Sequence, residues 1–237
     1  MLYPLFNKKV KNLLPSKWRY VAWIDADIKF LNDKWAKETI DLLAPGKYHF
    51  LQLYSQVVNM GPDNETLNVE NSVGFQYKMN SILDDCNLGH PGFAWATSRF
   101  AFEKTNGLID EHILGSSDYL MSLALLGKSS NIEKFLNKSR MNPVFASLVK
   151  NFEKKCQTYR LNFSNVDGKI QHYWHGRLAD RQYIRREFIL VKHKFDISKD
   201  LIRNETTYIL KLSQAGKRME KDIRKYFSLR NEDITQI

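Results

Sequence analysis

The sequence predicts an α/β fold, because short apolar segments alternate with segments of helical periodicity along its 237 residues. Tyr20–Ile24 is a continuous apolar run between polar residues, which is typical of a strand buried in a parallel sheet. Residues 33–43 follow as a helix, with Asn32 or Asp33 as N-cap and a stop at Pro45 and Gly46. A chain of this length can bury a core without a disulfide or a metal.

The same alternation continues along the rest of the chain. Further strands are predicted at residues 48–54, 92–97 and 170–174. Further helices are predicted at residues 98–104, 116–126 and 144–157, and from residue 178 onward. Residues 59–74 contain Gly61, Pro62 and several asparagines, and this composition predicts a long loop. Such loops often have a functional role in compact domains.

Composition and charge exclude several classes of protein. The chain is 43% hydrophobic and 13% aromatic, which excludes global disorder, and no apolar run approaches the ~20 residues that span a bilayer. Lysines interrupt residues 1–18, so we expect no signal peptide and a cytoplasmic location. Cys86 and Cys156 lack disulfide or metal spacing and are expected to be reduced. The net charge of +10 is concentrated at both ends, which favours anionic partners.

Asp25 and Asp27 are the first candidates for chemistry. They lie two residues apart at the end of the first predicted strand, where side chains i and i+2 of an extended chain point the same way. Two carboxylates aimed at one point repel each other unless a cation or a proton lies between them. Mg²⁺ or Mn²⁺ with substrate phosphates would suit this position, since open α/β sheets bind ligands at the carboxyl ends of their strands.

Four motifs in this order resemble the GT-A glycosyltransferases, most closely the family-two type and the stand-alone enzymes of viral and phage genomes. They are residues 21–27 (VAWIDAD), residues 92–96 (GFAWA), residues 106–111 (NGLIDE) and residues 115–118 (GSSD), the last of them before a helix. The resemblance covers about residues 13–190. It implies a GT-A-like (Rossmann-like) mixed, mostly parallel sheet flanked by helices in residues 1–195, with residues 196–237 as a basic helical extension.

The resemblance also implies roles for individual residues. Asp25 and Asp27 would hold Mn²⁺ or Mg²⁺ with the diphosphate of a nucleotide-sugar, and His175 would add a metal contact. Asp118 would be the general base of an inverting transferase, because an acceptor hydroxyl must lose a proton as it attacks the anomeric carbon. The donor- and acceptor-binding residues would be Ala26, Gly92, Phe93, Ala94, Trp95, His172, Arg177 and Arg181. The acceptor would be a hydroxyl on a glycan, a protein or a lipid.

Each of these side chains also has an alternative role that is not catalytic. Asp118 could be a helix N-terminal acid, and His172 and His175 could be structural histidines. Arg177, Arg181 and Arg185 recur at helical spacing, which predicts either a phosphate clamp or a solvated helix face. The amphipathic tail, with Lys217 and Lys221 on its basic face, could lie on an anionic membrane or pack on the domain.

The chain differs from the GT-A pattern at its start. GT-A domains place strand–helix units that bind the nucleotide before the Asp-x-Asp strand, which here begins near residue 20. A truncated chain, a minimal variant and a partner chain that supplies the missing half would each explain this difference. The second functional hypothesis is therefore a non-catalytic, glycosyltransferase-like protein that binds a nucleotide-sugar or a glycan. Nucleic acid is not an expected partner, because no nucleic-acid-binding signature is present.

Overall fold

The computed structural model describes residues 13–81, 88–131, 144–183, 185–204 and 210–230, and its architecture is α/β. The strands are β1 (Tyr20–Ile24), β2 (Ile28–Phe30), β3 (Phe50–Gln52), β4 (Gln56–Met60), β5 (Thr66–Asn71), β6 (Ala94–Ser98), β7 (Phe163–Asn165), β8 (Lys169–His172), β9 (Leu201–Arg203) and β10 (Leu210–Leu212). The α-helices are α1 (Trp35–Leu43), α2 (Val73–Lys78), α3 (Arg99–Thr105), α4 (Ser117–Leu125), α5 (Val144–Thr158), α6 (Arg185–Lys192), α7 (Ile197–Asp200) and α8 (Glu220–Ser228).

Two four-stranded sheets form the centre of the fold. Sheet A has the order β1-β6-β3-β7, and sheet B has the order β2-β8-β4-β5. Only the β3–β7 and β4–β8 pairs are parallel, while the other four pairs in these sheets are antiparallel. The prediction of a mostly parallel sheet is therefore wrong. Parallel neighbours need a crossover of about a dozen residues or more, whereas a short turn joins β4 to β5 and forces them to run antiparallel.

Most predicted elements are present, with two corrections. The predicted loop at residues 59–74 is a hairpin of β4 and β5, whose many polar residues suit the almost fully exposed face of an edge strand. The apolar run of β1 predicted a fully buried strand, but β1 lies at the edge of sheet A among the described residues and Ile24 is 40% exposed. An edge position thus outweighs local hydrophobicity in deciding burial.

Sheet A separates two hydrophobic cores. Phe50 and Trp95 point into the first core, where they pack with α4, α5 and the C-terminal segment. Leu51 and Ala94, their neighbours along the strands, point into the second core, which also includes Val57 and Ile170 of sheet B. This alternation follows from the two-residue repeat of a strand, and it makes the second core the layer that joins the two sheets.

The C-terminal segment packs on the first core. Tyr226 of α8 is buried there, as is Met219 just before it, so the apolar face predicted for the amphipathic tail contacts the domain. The segment also contains the β9–β10 hairpin. The continuous helix predicted from residue 178 is instead a 3₁₀ turn, Leu178–Arg181, followed by α6. Gln182 interrupts it, because its φ of 48° is left-handed and incompatible with a continuing helix.

The remaining predictions concern membrane-spanning helices, the two cysteines and the two ends of the chain. Within the described ranges, no helix is both long and apolar enough to cross a membrane. Cys156 is buried on α5 with a free thiol, and burial raises the pKa of that thiol to about 12. Cys86, the basic side chains of residues 1–12 and the chain after Arg230 lie outside the described residues.

Candidate functional site

The site begins at the turn that links the two sheets. Asp25, Ala26 and Asp27 connect β1 to β2, and backbone hydrogen bonds hold this turn at both ends. Asp25 N donates to Phe93 O at 2.8 Å, and Tyr173 N donates to Asp27 O at 2.9 Å. The two aspartates thus lie beyond the end of β1, so the side-chain alternation of an extended strand, on which their predicted pairing was based, does not apply to them. Ala26 is exposed at the tip of the turn.

Asp27, His172 and His175 form a compact group, which we call the Asp27 cluster. One potential ligand atom from each residue lies within 4.8 Å of the other two. Asp27 Oδ2 is 3.6 Å from His172 Nε2 and 3.4 Å from His175 Nδ1. Asp25 is not a member of this group. The structure thus gathers two of the three predicted metal ligands, together with His172.

The environment of Asp27 suits a cation. Burial raises the pKa of its carboxyl, but at acid pH, where His172 and His175 are protonated, their charge and the His172 hydrogen bond outweigh burial and hold the pKa below its ordinary value. Its Oδ1 is buried and accepts no hydrogen bond from any described residue. A buried carboxylate oxygen without a partner is costly, so this atom fits a metal ligand better than a structural acid.

His175 is already engaged at both ring nitrogens. Its Nδ1 lies 3.0 Å from Tyr173 O, which can only accept, so Nδ1 carries the proton. Its Nε2 therefore has the lone pair and accepts from the guanidinium of Arg181. Burial lowers the pKa of His175, in agreement with a neutral ring. A cation can bind His175 only if one of these two contacts is broken, whereas Asp27 Oδ1 needs no such exchange.

The loop at Gly92 and Phe93 connects this cluster to Asp118. Phe93 packs against His172 with ring centroids 4.4 Å apart, and its φ of 76° is left-handed. On the other side of the loop, a Cβ added to Gly92 would lie 2.8 Å from Asp118 Oδ2. A side chain at position 92 would therefore force the Asp118 carboxylate to shift.

Asp118 lies in the first turn of α4, where Tyr119 N donates to its Oδ1 at 2.9 Å. Burial raises the pKa of the Asp118 carboxyl, although the Tyr119 amide and the nearby Arg186 guanidinium oppose that shift. A carboxylate with a raised pKa is a stronger proton acceptor. Arg186 is held in place by a hydrogen bond to Ser116 Oγ, next to the same helix start.

Three site residues carry no signal in the sequence. Tyr54 donates to Gly92 O at 3.0 Å and accepts from Gln52 Nε2 at 2.9 Å. Burial raises the pKa of Tyr54 well above its ordinary value, and the charge of Asp118 adds to the shift. His90 stacks on Phe93 at 4.1 Å, and burial lowers its pKa to about 3. Only the folded arrangement, in which Gln52, Tyr54 and His90 all contact the Gly92 loop, distinguishes these polar residues from others.

The remaining predicted site residues are placed as follows. Trp95 is buried in the first core, where its Nε1 donates to Pro91 O at 2.7 Å and so anchors the Gly92 loop from below. Ala94 is buried in the second core. Arg177 is exposed and pairs with Asp180, whereas Arg181 is buried against His175. The structure therefore brings Arg181 to the cluster and leaves Arg177 at the surface.

Comparison of the chain with known proteins identifies no family. No family model, no curated protein and no solved structure matches the chain. The geometry of the Asp27 cluster and of Asp118 is therefore the basis for any chemical role of the site.

Proposed function

We propose that this protein is a metal-dependent glycosyltransferase that moves a sugar from a nucleotide-sugar to a hydroxyl acceptor. One observation carries the proposal: a single loop, Gly92 and Phe93, contacts both Asp118 and His172 of the Asp27 cluster. A proton acceptor and a group of cation ligands thus lie on two sides of one loop. Sugar transfer needs both, since a hydroxyl must lose a proton while a diphosphate leaves.

Asp27 and His172 would hold the cation, Mn²⁺ or Mg²⁺, and His175 would join them once Arg181 has left it. When bound, the cation offsets the charge that develops on the departing diphosphate. Arg181 supports the same role, since its buried Nε donates no hydrogen bond to any described residue. A phosphate oxygen would satisfy this Nε and a second guanidinium nitrogen through two parallel hydrogen bonds, once Arg181 exchanges its contacts with His175 and Tyr183 for the phosphate.

Asp118 would take the proton. The acceptor oxygen forms a bond to the anomeric carbon, and its proton passes to the Asp118 carboxylate. The bond between the anomeric carbon and the diphosphate oxygen breaks, and its electron pair leaves with the diphosphate. Attack opposite to the leaving group inverts the anomeric carbon. The acceptor class stays open between a glycan, a protein and a lipid-linked sugar.

A nucleotide-sugar- or glycan-binding protein without turnover is the second candidate. One observation favours it: Asp118 lies in the first turn of α4 and accepts from Tyr119 N, which is the position of a helix N-terminal acid that needs no part in catalysis. The ligands of the Asp27 cluster would then hold a cation and a diphosphate, and Asp118 would have no proton to accept.

One panel of measurements separates the two candidates. The full chain is titrated by calorimetry with UDP-, GDP- and dTDP-sugars, with Mn²⁺ and with EDTA, and donor hydrolysis is followed in parallel. Manganese-dependent binding with slow hydrolysis is expected for the transferase. Binding without hydrolysis supports the second candidate, and no binding of any donor in Mn²⁺ contradicts both the transferase and a nucleotide-sugar-binding protein.

A further inference from the structure

A row of polar side chains crosses sheet B and ends at the Asp27 cluster. In the strand register, Asn59 of β4 is paired with Asn68 of β5 on one side and with His172 of β8 on the other. Glu70 lies two residues from Asn68 and therefore on the same face of the sheet. His172 Nδ1 is 2.9 Å from Asn59 Oδ1.

The orientation of the Asn59 amide is determined by its other two contacts. Asn59 Nδ2 donates to Glu70 Oε1 at 2.8 Å and to Asn68 Oδ1 at 2.6 Å. A carboxylate can only accept, so the amide nitrogen must face Glu70. The carbonyl oxygen of Asn59 is thereby turned toward His172 and acts as an acceptor.

This acceptor decides which ring nitrogen of His172 carries the proton. Since Asn59 Oδ1 can only accept, His172 must donate from Nδ1, and in the neutral ring Nε2 then has the lone pair. Nε2 faces Asp27 Oδ2 at 3.6 Å, too long for a hydrogen bond. Two acceptor atoms thus face each other, and a shared cation would bind both.

We propose that Asn59 is a positioning residue, which holds His172 in the Nδ1–H tautomer and so leaves Nε2 ready to bind a cation together with Asp27. Glu70 and Asn68 support Asn59 by accepting the hydrogen bonds that fix the orientation of its amide. The inference rests on the proposed function for the identity of the ligand. It gives the exposed β4–β5 hairpin a role in the site. Partners of this kind orient ligating histidines and raise metal affinity.

The tautomer is measured in the metal-free protein, where the proposed function plays no part. The full chain is labelled with ¹⁵N-histidine, and the ring shifts are recorded above pH 7.5 by long-range ¹H–¹⁵N correlation, with His172→Gln to assign the signal. Wild type is expected to show a protonated Nδ1 and an unprotonated Nε2. Asn59→Leu should move the proton to Nε2 or mix the two forms. Gln56→Leu, which alters the same hairpin without contacting His172, should retain the wild-type pattern.

The metal arm uses Mn²⁺ alone, titrated by calorimetry. Asn59→Leu should bind Mn²⁺ about 10–100-fold more weakly than wild type. Gln56→Leu is the matched control, because it removes the side-chain bond of Gln56 to Asn71 in the same hairpin without contacting His172, and its affinity should be unchanged. If Asn59→Leu does not fold, Asn68→Ala, which removes only one of the two contacts of the amide, should show a mixed tautomer and weaker binding.

Each outcome bears on one of the two claims. An unchanged tautomer and unchanged Mn²⁺ affinity in Asn59→Leu would overturn the role of Asn59. A His172 that is doubly protonated above pH 7.5 would overturn it as well, since Nε2 would then donate to Asp27. If wild type has the expected tautomer but binds no Mn²⁺, the positioning of His172 stands and the proposed function fails.

Discussion

The two sheets of this protein are similar in size but differ in chemistry. The residues of β3 in sheet A are fully buried, and those of β6 are nearly so, because helices and the second core cover both faces. In sheet B, β5 is almost fully exposed, and its polar side chains lead through Asn59 to the Asp27 cluster. The central strands of sheet A therefore supply packing that stabilises the fold. Sheet B instead exposes polar side chains to solvent and to the Asp27 cluster.

The candidate site lies where the sheets meet, and each side contributes a different group. The loop that enters β6 of sheet A contacts Asp118, whereas β8 of sheet B ends at His172. On this account, the proton acceptor belongs to the sheet A side and the cation ligands to the sheet B side. Variants that affect one side of the site and leave the other intact test this division of roles.

The largest effect is expected for Asp118→Asn. Asparagine keeps the size of the side chain but cannot accept a proton, so turnover should fall about 10²–10⁴-fold, or roughly 3–5 kcal/mol of barrier. Donor and Mn²⁺ affinity should stay close to wild type, because the Asp27 cluster is unchanged. Single-turnover transfer with a hydroxyl acceptor and calorimetry measure the two quantities. Asp41→Asn, an exposed helical acid, serves as the control. Full transfer activity in Asp118→Asn would contradict the assignment of Asp118, on the sheet A side, as the general base.

The packing role of sheet A is tested by stability. Phe50 is fully buried on β3, and Phe50→Ala should lower the free energy of unfolding by about 3–5 kcal/mol through lost burial and the cavity that remains. Val69 on β5 is 48% exposed, so Val69→Ala should change it by less than about 0.5 kcal/mol. Urea denaturation gives both values. Equal losses in the two variants would contradict the division between the sheets.

This difference also explains how far the sequence could predict the structure. The apolar runs of β3 and β6, the helix at α4 and the helix at α5 follow from hydrophobic pattern and cap residues, and they were predicted. The strands β4 and β5 were not, because Asn59, Asn68 and Glu70 follow no burial pattern and resemble loop residues. β4 is a strand because it pairs with β8, and β5 because it pairs with β4; this is a tertiary effect that local propensity does not contain.

The candidate site divides in the same way. Asp27, His172 and Asp118 could be chosen from residue type and order, and the structure brings His172 and Asp118 to the Gly92 loop, with Asp27 next to His172. Tyr54, His90 and Asn59 could not, since their roles depend on contacts between strands far apart in the chain. The basis for pairing Asp25 with Asp27 does not hold, because the strand ends at Ile24 and side chains beyond it do not alternate as they do in a strand.

An intermediate effect is expected where the two sides of the site touch. Gly92→Ala places a methyl group 2.8 Å from Asp118 Oδ2, so the carboxylate must move. A displacement of about 1 Å can cost 10²-fold in rate, and we expect a loss of about that size in turnover with little change in Mn²⁺ affinity. Single-turnover rates and Mn²⁺ titration of the same preparation measure both. A variant with weaker metal binding and normal turnover would reverse the assignment of the two sides.

The smallest effect is the pH dependence of the Asp27 contribution to stability. Because the pKa of Asp27 is held below its ordinary value in the folded protein, its contribution is present above the unfolded pKa, about 4. That contribution is lost as pH falls through the lower folded value. In EDTA, Asp27→Asn should therefore be less stable than wild type near pH 6 and equal to it near pH 2. The carboxyl is 35% exposed, so the difference should be below about 1 kcal/mol. Denaturation curves across this range that never diverge would contradict the pairing with the histidines.

The central claim, that the Asp27 cluster binds a divalent cation, is tested most directly by anomalous diffraction. Crystals of the full chain are soaked in Mn²⁺, and an anomalous difference map is calculated with and without a nucleoside diphosphate. The account predicts a manganese peak about 2–2.5 Å from a carboxylate oxygen of Asp27 and from His172 Nε2, with Arg181 displaced from His175 wherever His175 joins as a ligand. A map with no peak at the cluster, and with Arg181 still on His175, would contradict it.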